Sequence, residues 1–176
     1  MLWPDTWKDP ALLDLVKGTA IDFLLIATGD EFAAVRSRAR QNVIQVAAPG
    51  VPPSGVQVVK GAWPGVQMRA GGGGGGGGAS AGPTGVPWVD SNAWNVRLNR
   101  ALHPDVSVWV NAPPAERAFV TAASYLIAIA DSAAYGGRWI VTLDAPLAQG
   151  LAARRSESLA TWKSLTAAAG FLDDFL

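Results

Sequence analysis

The chain has no cysteine and a single histidine, so disulfides and thiolate metal sites are excluded and a histidine-based metal centre lacks ligands. No cofactor is expected. Charge is scarce, at 16% of residues, and fourteen basic side chains balance fourteen acidic ones without clusters. The electrostatic footprint of a nucleic-acid or anionic-membrane partner is therefore missing. No apolar run is long enough to span a bilayer, and Met1-Leu2-Trp3-Pro4 lacks the basic region and apolar core of an export signal. What is plentiful is apolar surface, 49% of residues, which excludes general disorder and implies a large buried fraction. A length of 176 residues suits one domain over 1–176, or part of one, and is short of the roughly 250 residues of a complete eight-stranded barrel.

Along the chain, Asp9 and Pro10 sit where an N-cap and first helical residue belong, and Leu12, Leu13, Leu15 and Val16 supply one apolar face ending at Gly18. Ile21 to Ala27 is apolar apart from Asp22, the pattern of a strand covered on both faces, closed by Thr28-Gly29-Asp30. Asp30 is placed to cap a helix through Phe32, Val35 and Ala39, with arginines at 36, 38 and 40 on the solvent side. Strands are expected at Asn42 to Ala48 and, after a proline-rich turn, at Val56 to Lys60. A fourth is expected near Val86 to Asp90, a fifth at Val106 to Val110 and a sixth at Arg138 to Leu143. Helices are expected from Ala93 to Leu102, from Thr121 to Tyr135 with Leu126 to Ala134 buried nearly all round, and from Ser158 to Ala169.

The glycines from Gly71 to Gly78, continued to Gly82, have no side chains to bury and maximal backbone entropy to lose, so 71–82 reads as a flexible loop. A phosphate cradle needs singly placed glycines with a lysine, hydroxyl or ribose-binding acid at fixed spacing, and none accompanies this run.

Six strands, most followed by helices, predict an α/β domain with a largely parallel six-stranded sheet, curled into an incomplete (β/α) barrel or left as an open doubly wound sheet. Right-handed crossovers then bring the carboxyl ends of the strands, where ligands bind in parallel folds, to one side. Thr28 and Asp30, Lys60 and Trp63, Asp90 and Asn92, Asn111, and Asp144 would gather there. His103 precedes Pro104 on the opposite side, where a surface or capping role suits it better than catalysis.

The segments Lys60-Gly61-Ala62-Trp63-Pro64-Gly65, Gly82 to Asn92, Ala130 to Trp139 and Trp162-Lys163 resemble the barrel region of glycoside-hydrolase-like proteins of bacterial genomes. The resemblance covers most of the chain. It implies a carbohydrate-related (β/α) barrel, exported and often joined to further domains of a longer chain, an expectation that the abrupt start and the ending Phe171 to Leu176 suit. It implies a glycan ligand, with hydrolysis dependent on the carboxylates present. Retaining barrel glycosidases of the largest clan place Asn-Glu after strand four, where this chain has Asp90-Ser91-Asn92. In the amylase-like pattern Asp90 fits the nucleophile, and Asn111 stands where the acid belongs.

Glycoside hydrolysis requires one carboxyl to protonate the leaving oxygen and another to attack or activate water. Asp90 and Asp144 are the aspartates that directly terminate inner strands and form the candidate catalytic pair. Trp63, Trp88 and Trp94 offer platforms for sugar faces, and Lys60, Asn92 and Asn111 offer hydroxyl-binding groups. The competing readings are tryptophans as core or lid packing and aspartates as helix caps. In functional terms they correspond to a non-catalytic carbohydrate-binding or scaffold module. A Rossmann-like nucleotide domain ranks last, because Thr28-Gly29-Asp30-Glu31 follows strand one in place of GxGxxG.

Overall fold

Short, nearly continuous apolar runs form parallel strands in the computed structural model, which describes residues 1–69, 80–83, 91–116 and 118–175, the side chains of 66–69, 80–83, 174 and 175 excepted. Strand β1 (Phe23–Leu25) pairs in parallel with β2 (Gln45–Ala47), placing Leu24 opposite Val46. Strand β3 (Val56–Lys60) pairs in parallel with β6 (Ser107–Asn111), which pairs in parallel with β7 (Arg138–Trp139). Between β3 and β6 in sequence, β4 (Val66–Arg69) and β5 (Ser80–Pro83) form an antiparallel ribbon.

The described strands thus form parallel sheets of two and three strands and a separate ribbon, in place of the expected six-stranded sheet or barrel. One reason lies between β2 and β3. Their connection contains Pro49, Pro52 and Pro53, which have no N–H to donate to a ladder, and no backbone pairing joins the two strands. The parallel sheets meet instead through the first three residues. Leu2 bridges Leu25 in parallel, Trp3 N donates to Leu25 O at 2.8 Å, and Leu2 N donates to Val141 O at 2.9 Å. A segment of two or three residues is too short for its sequence to display a strand period.

The glycine-rich expectation changes at its carboxyl end: Ser80, Ala81 and Gly82 are strand residues paired with Arg69, Met68 and Gln67. The remainder of that expectation, residues 71–79, and the strand expected at 86–90 lie outside the described residues.

Helix α1 (Ala33–Gln41) is preceded by a 3-10 turn at Asp30–Phe32, and Gly29, with no side-chain cap, stands where Asp30 was expected. Arg36 leaves the expected solvent face to donate to the carbonyls of Ala27 and Gly29. Helix α2 (Ala93–Leu102) has the expected bounds and ends before Pro104. Helix α3 (Ala122–Ala134) is capped by the Thr121 hydroxyl, which accepts from Ser124 N at 3.2 Å. Its buried face is a stripe of Ser124, Tyr125, Ala128 and Ser132, while Ile127 is 46% exposed, so α3 is not buried all round. It packs against β7, α5 and α2, and leaves Ile127 to solvent. Helices α4 (Ala145–Ala152) and α5 (Ser156–Phe175) complete the chain, and α5 continues through Gly170.

The core joins both ends of the sequence. Trp3 and Trp7 meet edge to face at 5.0 Å, Trp7 Nε1 donates to Ala148 O at 3.1 Å, and Trp162 Nε1 donates to Leu15 O at 2.7 Å. Buried indoles keep a polar partner this way while contributing large apolar area.

Candidate functional site

After β3 the chain turns through Gly61 and Ala62, where one side chain closes the turn. Asn92 Oδ1 accepts from Ala62 N at 2.9 Å, and its Nδ2 donates to Ala62 O and to Asp131 Oδ2, both at 3.0 Å. The backbone N–H of Asn92 donates to the same Asp131 oxygen at 2.9 Å. With 2% exposure, Asn92 spends both amide donors and its oxygen on tying the end of β3 to the starts of α2 and α3's outer turns. A Cβ at Gly61 would collide with the Val110 side chain and lie 2.8 Å from Asn92 Oδ1, which explains the glycine there.

Asp144 follows β7 and caps α4, its Oδ1 accepting from Leu147 N at 3.1 Å ahead of Pro146 in the first turn. Its other oxygen lies 3.1 Å from the Tyr125 hydroxyl, which also accepts from Asp144 N at 2.7 Å. Asp144 is 2% exposed, and burial holds its carboxyl above the ordinary carboxylate range despite these hydrogen bonds. Burial, with the adjacent carboxylate adding to it, likewise pushes the Tyr125 hydroxyl up.

Trp63 forms the wall of this cluster, edge-on to Tyr125 at 5.3 Å and to Trp139 at 5.1 Å. It is 6% exposed, and the buried Nε1 atoms of Trp63 and Trp139 and the Oγ1 of Thr142 have no hydrogen-bond partner among the described residues. Trp94, in contrast, is 67% exposed on α2, one and two turns from the exposed Leu98 and Leu102. The two tryptophans therefore share no surface. Lys60 has an exposed side chain, and its carbonyl accepts from Asn95 Nδ2 at 2.9 Å. Asn111 lines a cavity of about 220 Å³ with Leu25, Val58 and the proline-rich loop. Asp90 and Trp88 lie outside the described residues, so the geometry reaches only one member of the carboxylate pair.

The larger concavity, about 690 Å³, is at the other end of the strands. It lies where β1 and β7 begin, between Phe23, Trp109, the Tyr135–Arg138 turn, Arg97 and Arg100 of α2, and Asp173 of α5. Its volume is in the range of small-ligand sites. Phe23 and Trp109, both half-buried, meet edge to face at 5.0 Å in its wall.

The turn that shapes the rim follows from two glycines. Gly136 closes α3 with φ 79° and donates to Ala133 O at 2.9 Å, the left-handed helix end that favours glycine. A side chain there would also run into the Arg100 guanidinium, so the glycine lets α2 lie across the turn.

Arg97 and Arg100 stand at polar positions of α2, which by pattern alone mark a solvated helix face, so the sequence did not reveal this cavity. No local motif joins residues 22–23, 97–100, 109 and 135–138. Among the described residues no group of three or more His, Cys, Asp or Glu is placed to hold a metal ion, and no helix is long and apolar enough to cross a membrane. No protein-family model matches the chain, and no match was found among curated proteins or solved structures.

Proposed function

We propose that the chain is a carbohydrate-binding or scaffold domain, and that it does not hydrolyse its ligand. The observation that carries the second half is the state of Asp144. A general acid must reach the glycosidic oxygen at hydrogen-bond distance, whereas both Asp144 oxygens are occupied by Leu147 N and the Tyr125 hydroxyl in a buried site. The ligand reading draws on the aromatic pair of Phe23 and Trp109 in the 690 Å³ cavity, since aromatic faces suit the apolar faces of sugar rings.

Hydrolysis by Asp90 and Asp144 is the second reading. What favours it is the raised pKa of Asp144, the direction a general acid needs. Incubation with a panel of aryl glycosides, beside calorimetric titration with the matching free sugars, separates the two. Binding without turnover is the expected result. Turnover abolished by Asp90→Asn and by Asp144→Asn, with folding intact, would establish the hydrolase instead.

A further inference from the structure

The cavity at the beginning of β1 and β7 carries an imbalance of charge with a definite geometry. Its charged side chains are Arg97, Arg100 and Arg138 against Asp22 and Asp173. Arg138 is shared by both carboxylates, 3.6 Å from Asp22 and 3.9 Å from Asp173. Arg97 and Arg100 have no carboxylate within ion-pair distance among the described residues.

Both free guanidinium groups are held by the same residue. Arg97 lies over the Tyr135 ring, 5.0 Å from its centroid, and Arg100 Nη1 donates to the Tyr135 carbonyl at 3.0 Å. A cation–π contact spends none of the N–H groups of Arg97 on hydrogen bonds, and one hydrogen bond leaves Arg100 with most of its five donors. Residues 97 and 100 are three apart on α2 and so share one helix face. The pair is therefore fixed before any ligand arrives, which lowers the ordering cost of binding.

We propose that this cavity binds a small organic oxyanion, the guanidinium groups of Arg97 and Arg100 taking the anionic group and the Phe23–Trp109 pair taking an apolar ring face. Planar guanidinium forks match the two oxygens of a carboxylate or of a phosphate, and low-dielectric walls focus the positive potential inside a concavity. Asp22 and Asp173 stay on Arg138 and leave the α2 pair to the ligand. The inference rests on reading this cavity as the ligand site, and it adds the charge of the ligand to that reading.

The test is calorimetric titration of the full chain with glucuronate, glucose and inorganic phosphate, repeated on Arg97→Gln/Arg100→Gln and on Arg97→Lys. Both arginines are exposed, so the variants should melt as the parent does. Glucuronate should bind at least tenfold more tightly than glucose, and the double variant should lose that margin. Arg97→Lys should recover only part of it, because charge is kept and the planar fork is not. Phosphate binding that also vanishes in the double variant supports the site and assigns a phosphate ester as the preferred source of the oxyanion. Glucose binding as tightly as glucuronate would overturn the inference and leave the cavity as a ligand site. Glucuronate affinity unchanged in the double variant would overturn it too, and absence of binding by all three compounds would overturn the ligand site itself.

Discussion

The Tyr125 hydroxyl accepts from the backbone N–H of Asp144 at 2.7 Å and lies 3.1 Å from that residue's carboxylate, so α3 grips the residue that starts α4. One hydroxyl proton serves either that carboxylate or the Thr142 carbonyl at 3.2 Å. The arrangement positions a helix, and its energetics depend on protonation.

Stability should fall as pH rises through the Asp144 titration. Burial raises the folded-state pKa above the ordinary value of 3.8, so the folded chain holds this proton more tightly than the unfolded chain does. The stabilisation is complete below 3.8 and is lost as pH rises through the folded value. Asp144→Asn removes the step and retains an oxygen for the Leu147 N–H. Urea unfolding across the acidic range should show the parent losing stability relative to this variant as pH increases. Parent stability that holds or rises relative to this variant with increasing pH would contradict the assignment.

Asn92→Ala should be among the more damaging polar substitutions. It strips Ala62 N and O and one Asp131 contact of their partner in a buried site. Leaving buried backbone groups unpaired predicts a loss of about 2–3 kcal/mol. Gly61→Ala should weaken the same junction by forcing the Val110 side chain aside. Equilibrium urea denaturation measures both, and losses below about 0.5 kcal/mol would show water replacing the clamp.

Trp63 separates apolar from polar contributions. Truncation to Ala opens a cavity between Tyr125 and Trp139 and should cost about 3–5 kcal/mol. Trp63→Phe loses less volume and also removes a buried indole N–H that has no partner among the described residues, so it should stay within about 1 kcal/mol of the parent. Thermal unfolding of the two variants would resolve the difference.

On the outer face of α2, Trp94→Gln and Leu98→Gln should change stability by less than about 0.5 kcal/mol, since the side chains are 67% and 49% exposed. Unfolding curves displaced by more would reveal packing of this face in solution.

Local pattern located the elements whose causes are local. The helix from Ala93 to Leu102 was legible because its apolar spacing stops at His103-Pro104, and proline restricts the residue before it. Strands at Phe23, Val56 and Ser107 were legible as short β-branched and apolar runs between turn residues. Strand-end position also singled out Asn92, Asn111 and Asp144, but it could not assign their partners. Tyr125 and Asp144 are 19 residues apart and Asn92 and Asp131 are 39 apart, and whether a polar group caps a helix or faces a ligand depends on what is packed against it. The same reason hid the place of Leu2 between two sheets and the convergence of Arg97, Arg100 and Tyr135 on one cavity. Periodicity acts over one or two turns of chain, whereas burial, pairing and concavity arise when distant segments exclude water from one another.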